Sequence, residues 1–158
     1  MNFKPINVGP DLKKIQRKYK EKSNKMELRF FSEITINGLS IRTNNAAEMD
    51  PNNGKIGRLW QTFDKAVPVD YKNGERVYGV YFDYQSDHTG EFTVLAGFDG
   101  RLFPSNLQLE SITIPQAKYL VFTHKGEMPQ IAIDAWTEVW HYFSNEQAEY
   151  KRKYSTDF

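Results

Sequence analysis

The chain has 158 residues, of which 39% are hydrophobic and 26% charged, a composition that suits one globular domain with a real core. It contains no cysteine, which excludes disulfides, thiolate metal sites and cysteine nucleophiles and fits a reducing compartment. The first 25 residues lack the apolar run of a secretory signal, and no stretch approaches the ~18 apolar residues of a membrane helix. We therefore expect a cytoplasmic protein with no membrane partner.

Charge is distributed unevenly along the chain. Residues 1–26 hold eight basic and two acidic side chains, a net charge of +6, whereas the remainder carries −5. Within residues 10–25, the helical spacing of Leu12, Ile15 and Tyr19 predicts one short amphipathic helix. No base-reading motif accompanies these charges, so we expect at most weak, salt-sensitive contact with nucleic acid and no specific complex. The acidic remainder is compatible with a cationic partner.

The next segment predicts strands followed by a helix. Apolar and polar residues alternate over residues 26–42, which indicates strands with a bend or turn near Asn37-Gly38. A single apolar stripe over residues 56–63 then predicts a helix, and Pro68 follows at the place where a proline is expected beyond a helix end.

The rest of the chain repeats this order. Strong strands are predicted over residues 77–84 and 92–98, joined by a hairpin loop with a glycine near its end. A further strand over residues 107–123 is interrupted at Pro115 and leads into a helix over residues 131–143. The order of elements, more than any sequence identity, suggests an internal duplication.

The predicted fold is therefore α+β: a duplicated β-α-β-β unit that forms an antiparallel curved sheet with two helices. After Phe143 the sequence has room for one short strand at most, so the closing strands of the second unit are expected to be lost or replaced. Residues 154–158 are expected to be a loose end. The resulting open edge would be closed by residues 2–8, by a second copy in a homodimer, or by neither, and we favour the homodimer slightly.

Most chemical motifs are absent from the sequence. There is no phosphate-binding glycine loop, and the three histidines, His88, His124 and His141, are far apart in sequence. We expect each to be structural or exposed, and we expect no metal ion, no cofactor and no marked catalytic residue.

Aromatic residues make up 15% of the chain, and several follow a pattern. Alternation along the predicted strand places Tyr78, Phe82 and Tyr84 on one face and Tyr81 and Asp83 on the other. Such rings stack on planar ligands and attract a cation by ~0.5–2 kcal/mol per contact, although rings of this kind also fill ordinary cores.

Seven aromatic residues are predicted to stack on a ligand. They are Trp60, Tyr78, Tyr84, Phe92, Tyr119, Trp136 and Trp140. Asp83, Glu91 and Glu127 are the candidates for pairing with a cation, the alternative being that each is a plain surface charge.

Three segments resemble the GyrI-like, or bacterial effector-binding, domain family: IGRLWQTF at residues 56–63, VYGVYFDYQSDHTGEFTVLAG at 77–97 and KYLVFTHKGEMPQIAIDAWTEVW at 118–140. The resemblance covers residues 26–158. It implies a duplicated β-α-β-β fold with a cleft between two pseudo-symmetric halves that binds bulky, often cationic compounds. It also implies a relation to the sensor domains of AraC- and MerR-type regulators.

The same resemblance frames the domain organisation. We expect a basic N-terminal arm over residues 1–25 and a GyrI-like domain over residues 26–158. The arm is too short for a helix-turn-helix motif, so a stand-alone member is expected. Family members continue into closing strands that usually begin with a pocket glutamate, and this sequence stops at Phe158 before that position.

Our leading interpretation is a non-enzymatic module that binds small aromatic, cationic compounds in the cleft. Two alternatives remain open from the sequence. One is a hydrolase of electrophilic, DNA-alkylating small molecules, which would need a carboxylate or tyrosine acting on water or on a leaving group. The other is a protein that interacts with gyrase.

Overall fold

The computed structural model describes residues 26–158, which form two compact units. The first unit comprises Ser32–Gln116 and Lys153–Phe158, and the second comprises Ala117–Arg152 together with residues 26–31. No helix in the described part of the chain is long and apolar enough to cross a membrane.

Seven strands and three α-helices follow one another along the described chain. In order they are β1 (Met26–Phe31), β2 (Ile34–Asn44), α1 (Asn45–Met49), α2 (Ile56–Ala66), β3 (Val77–Phe82), β4 (Glu91–Phe98), β5 (Glu110–Ile114), β6 (Ala117–Phe122), α3 (Gln130–Phe143) and β7 (Thr156–Asp157). A single 3₁₀ turn, Tyr71–Asn73, precedes β3.

The first unit is a five-stranded antiparallel sheet in the order β5-β2-β4-β3-β7, and α2 packs on one of its faces. The core on this face, which we call the helix face, joins Leu59 and Phe63 of α2 to alternate residues of β4. Phe63 and Phe98 are fully buried and meet edge-on, with ring centroids 6.2 Å apart. The opposite face of the sheet also carries fully buried side chains, including Val80 and Leu95.

Helix α2 begins without a side-chain cap of its own, because Lys55 holds the N-cap position. Glu48 supplies the cap from the preceding helix. Its carboxylate accepts the backbone N–H groups of Lys55 at 3.0 Å and Ile56 at 3.1 Å, and the Thr43 hydroxyl at 2.6 Å. The carboxylate accepts hydrogen bonds from backbone N–H groups that have no partner within the helix, and its negative charge interacts favourably with the positive end of the helix dipole. Glu48 therefore fixes where α2 starts.

The second unit contains α3 and an antiparallel pair of strands, β1 and β6, in which Leu28 lies opposite Leu120. Phe122 of β6 packs edge-on against Tyr142 and Phe143 of α3, with centroid distances of 5.8 and 6.4 Å. The helix is thus held to its own strand pair by aromatic contacts.

The sequence predicted the fold class and both long helices correctly, and the α+β antiparallel arrangement is confirmed. The interruption of the strand at Pro115 is also confirmed, between β5 and β6. The short helix α1 was not predicted, and the helix predicted over residues 10–25 lies outside the described residues.

Two predictions about the strands were wrong. The first strand does not bend at Asn37-Gly38: it breaks at residues 32–33, and β2 runs straight through Gly38, which lies opposite Gly97 of β4. The chain end is not loose either, because β7 pairs with β3, so that Asp157 lies opposite Tyr81.

Candidate functional site

A β-bulge follows β3 and redirects the side chains beyond it. The regular pairing of β3 with β4 ends where Phe82 lies opposite Thr93. The next contact between the two segments is the hydrogen bond from the Gln85 amide to the Glu91 carbonyl, at 2.8 Å. Two residues, Asp83 and Tyr84, therefore stand opposite Phe92 alone, and Asp83 has a positive φ of 52°. An extra residue reverses the in-out alternation of a strand, so Tyr84 turns to the helix face instead of sharing a face with Tyr78 as predicted.

The turned ring completes a group of aromatic side chains that we call the tyrosine cluster: Tyr81, Tyr84, Phe92 and Tyr154. Phe92 is 4% exposed and forms the floor of the cluster. The ring centroid of Tyr84 lies 5.6 Å from that of Phe92 and 5.7 Å from that of Tyr154. The ring centroids of Tyr81 and Phe92 are 5.9 Å apart. The three tyrosines are half-buried, so their rings are partly open to a ligand.

A carboxylate lies within this cluster. The Tyr84 hydroxyl donates to Oδ2 of Asp157 at 2.6 Å, and the pairing of β7 with β3 places Asp157 directly beside Tyr81. Asp157 is half-buried, so its charge is less screened than that of an exposed acid. The arrangement places a carboxylate next to two tyrosines of the cluster.

Trp60 of α2 lies on the helix face and contacts β3. Its Cζ2 atom would lie 3.2 Å from a Cβ on Gly79, so the glycine lets the indole ring rest on the backbone of β3. The ring also meets Phe63 edge-on at 5.8 Å. Of the predicted stacking residues in the first unit, Trp60, Tyr84 and Phe92 thus share one face.

Tyr78 lies on the opposite face of the sheet from the tyrosine cluster. Its hydroxyl donates to Oδ2 of Asp99 at 3.2 Å, and its ring lies 6.5 Å from that of Phe158. Burial raises the pKa of Tyr78 above its ordinary value, and the negative charge of Asp99 and the hydrogen bond to it raise it further.

We expect alkaline pH to destabilise the fold through Tyr78. A raised pKa means that the native state favours the protonated phenol, so this contribution is complete below the unfolded-state pKa of 10.0 and is lost as pH rises through the folded value. Asp99→Asn should lower the pKa of Tyr78 in a titration of absorbance at 295 nm, with Tyr78→Phe identifying the signal. An unchanged titration curve in Asp99→Asn would contradict the role given to the carboxylate.

The acidic candidates from the sequence lie elsewhere. Arg42 of β2 pairs with Asp83 at 3.0 Å and with Glu91 at 3.5 Å, on the face opposite the tyrosine cluster. Glu127 lies exposed in the loop before α3, where its backbone carbonyl accepts the amide of Ile131. Asp157 was not among the candidates, because a two-residue strand gives no periodic signal.

The second unit contains the predicted tryptophans. Trp136 and Trp140 lie one helical turn apart on α3, with ring centroids 6.2 Å apart and planes tilted by 36°, and Trp140 is 44% exposed. The Arg152 guanidinium lies over the Trp136 ring at 5.6 Å from its centroid. We call Trp136 and Trp140 the tryptophan pair. The Trp136 ring of this pair is already in contact with a cation, the Arg152 guanidinium.

The other predicted residues of this unit have structural contacts. Tyr119 of β6 meets Phe31 edge-on at 5.9 Å. His124 and Glu138 approach to 2.5 Å with both side chains 14% exposed, which ties the end of β6 to the middle of α3.

Comparison with known proteins places the chain among effector-binding domains. The family model described as "Cass2: Integron-associated effector binding protein" matches residues 27–158. The integron cassette protein VCH_CASS2, from the mobile metagenome of Vibrio cholerae, has a crystal structure with a TM-score of 0.75 to this chain. It is 39% identical, over 85% of this chain and 86% of that one.

Two further proteins extend the comparison. The structure of SAV2435 bound to tetraphenylphosphonium has a TM-score of 0.57 at 17% identity, covering 84% of this chain and 79% of that one, a likeness of fold alone. The transcriptional regulator BrlR of Pseudomonas aeruginosa is 35% identical over 83 residues, which are 49% of this chain. The chain spans only 28% of the length of that regulator.

Proposed function

This chain belongs to the Cass2 family of integron-associated effector-binding proteins, of GyrI-like type, and on that premise we propose that its effector is a bulky aromatic cation held at the tyrosine cluster. The observation that carries the proposal is the Asp157 carboxylate, which accepts a hydrogen bond from Tyr84 at 2.6 Å and lies opposite Tyr81 in the sheet. Each aromatic face attracts a cation by ~0.5–2 kcal/mol, and a half-buried carboxylate adds direct Coulomb attraction. A neutral ligand gains the stacking alone.

The tryptophan pair supports the same class of ligand. Arg152 carries a planar guanidinium, and its position over the ring of Trp136 is the geometry in which an aromatic quadrupole attracts positive charge. A bulky aromatic cation has the same charge and a wider apolar surface. The activity we propose is reversible binding without turnover, in keeping with an effector-binding domain.

The proposal is tested with a cationic and a neutral ligand of matched size, and with a third, bulkier cation. Methyltriphenylphosphonium is a cation and triphenylphosphine oxide is neutral, whereas tetraphenylphosphonium, seen with the fold neighbour SAV2435, gives a bulkier cation. We expect the cations to bind with a Kd of about 1 μM, or −8 kcal/mol, and the neutral compound at least tenfold more weakly. Calorimetry and quenching of tryptophan fluorescence report the affinities.

Each outcome has a distinct meaning. Equal affinity for methyltriphenylphosphonium and triphenylphosphine oxide would contradict the electrostatic part of the proposal and leave an aromatic site without charge selectivity. Failure of all three compounds to bind at millimolar concentration would contradict the proposed ligand class.

A further inference from the structure

Arg42 holds the bulge from the face opposite the tyrosine cluster. Its Nη1 donates to the Asp83 carbonyl at 2.5 Å, to the Asp83 carboxylate at 3.0 Å and to the Thr93 hydroxyl at 3.1 Å. Its Nε lies 3.5 Å from the carboxylate of Glu91. One guanidinium therefore joins β2 to both strands of the hairpin at the point where the bulge forms.

The bulge needs such a restraint. Asp83 has a positive φ of 52°, a conformation that costs free energy for any residue with a side chain, although aspartate tolerates it better than most. In the type of bulge whose first residue has a positive φ, that residue is characteristically glycine. The hydrogen bonds from Arg42 act on the carbonyl and side chain of that same residue, so they offset the cost where it arises.

We propose that Arg42 is the positioning residue for Tyr84: by holding Asp83 in its left-handed conformation, it turns the Tyr84 ring onto Phe92 and its hydroxyl toward Asp157. The inference rests on the proposed function of the tyrosine cluster. Without the restraint, the hairpin can return to regular alternation, which carries the Tyr84 side chain to the other face of the sheet.

Charge and position predict opposite effects at this residue. Arg42 is a cation, so its removal should strengthen the binding of a cationic ligand if only the electrostatic field matters. If Arg42 positions Tyr84, its removal should weaken that binding, because the ring and the hydrogen bond to Asp157 are lost together. The sign of the change separates the two roles.

The experiment uses the full chain with four variants: Arg42→Gln, Arg42→Lys, Asp83→Gly and the double variant Arg42→Gln/Asp83→Gly. We expect Arg42→Gln to weaken methyltriphenylphosphonium binding about tenfold and to remove the nuclear Overhauser contact between the rings of Tyr84 and Phe92, which lie 5.6 Å apart. Arg42→Lys keeps the charge without the planar fork and should be intermediate. Asp83→Gly alone should keep the contact between the rings of Tyr84 and Phe92, because glycine adopts the same positive φ.

The double variant is the decisive one. Glycine adopts a positive φ without strain, so Asp83→Gly should restore both the ring contact and most of the affinity in the Arg42→Gln background. A tighter or unchanged affinity in Arg42→Gln with the ring contact intact would overturn the proposal, as would a double variant that folds but recovers neither signal.

Failure of the proposed function would look different. If the native chain binds none of the phosphonium compounds, the ring contact between Tyr84 and Phe92 still reports the position of Tyr84 in every variant. Loss of that contact in Arg42→Gln and its return in the double variant would uphold the positioning role without the ligand, and its persistence in Arg42→Gln would overturn it.

Discussion

Replacing Gly38 by alanine is expected to lower the free energy of unfolding by about 3 kcal/mol, a large loss for a domain of this size. A Cβ at this position would lie 2.2 Å from the Ala96 carbonyl oxygen and 2.6 Å from the Cα of Gly97, both backbone atoms in the centre of the sheet. Neither atom can move without disturbing the pairing of β2 with β4, so the clash cannot be relieved by a change of rotamer.

Gly57 provides a matched control. It lies exposed on α2, and a Cβ there meets nothing within 4 Å. Gly57→Ala should therefore raise the free energy of unfolding by up to about 1 kcal/mol, because alanine favours helix over glycine. Denaturant unfolding measures both variants: a shift of the midpoint at an unchanged slope reports the change in the free energy of unfolding. A Gly38→Ala chain as stable as the native one would show that β2 and β4 are not as close as described.

The same glycine shows why the sequence misplaced a bend. Asn37-Gly38 has the composition of a turn, and local sequence gives no sign of the residue that faces it. The structure shows Gly38 inside a strand, opposite a second glycine, Gly97, on β4. Gly38 allows the backbones of β2 and β4 to approach closely. The two glycines that make this possible, Gly38 and Gly97, are far apart in sequence, so no single sequence window shows the pattern.

Local periodicity explains what was predicted well. Helix α2 buries one face, through Leu59 and Phe63, so its apolar spacing carries the signal in a single window. Strand β4 is buried on both faces and is marked instead by a short, nearly continuous apolar run. The bulge at Asp83 has no such signal, because one inserted residue leaves composition unchanged and reverses every face beyond it. Tyr78 and Tyr84 were therefore predicted on one face and lie on two.

The acidic residue of the candidate site shows a second limit. Asp157 belongs to a strand of two residues, and its environment comes entirely from pairing with β3. The sequence-based candidates Asp83 and Glu91 lie next to aromatic residues along the chain, yet Arg42 pairs with both. Proximity in sequence to aromatic residues was a poor guide to which carboxylate would share their face.

Asp157→Asn is expected to weaken methyltriphenylphosphonium binding about thirtyfold, or ~2 kcal/mol, the size of a charge–charge interaction across several ångströms at the edge of a protein. The asparagine keeps an oxygen to accept the Tyr84 hydroxyl, so the tyrosine cluster should retain its geometry. Binding of neutral triphenylphosphine oxide should change little, because it relies on stacking.

Asp99→Asn is the control for this prediction, since the chain contains a second tyrosine–aspartate pair with the same chemistry. Asp99 accepts the hydroxyl of Tyr78 at 3.2 Å on the opposite face of the sheet, so its loss removes the same charge without touching the tyrosine cluster. Calorimetric titration of both variants should show a large loss of cation affinity in Asp157→Asn and almost none in Asp99→Asn. Equal losses would mean that the net charge of the domain attracts the ligand, and no loss in Asp157→Asn would remove that carboxylate from the site.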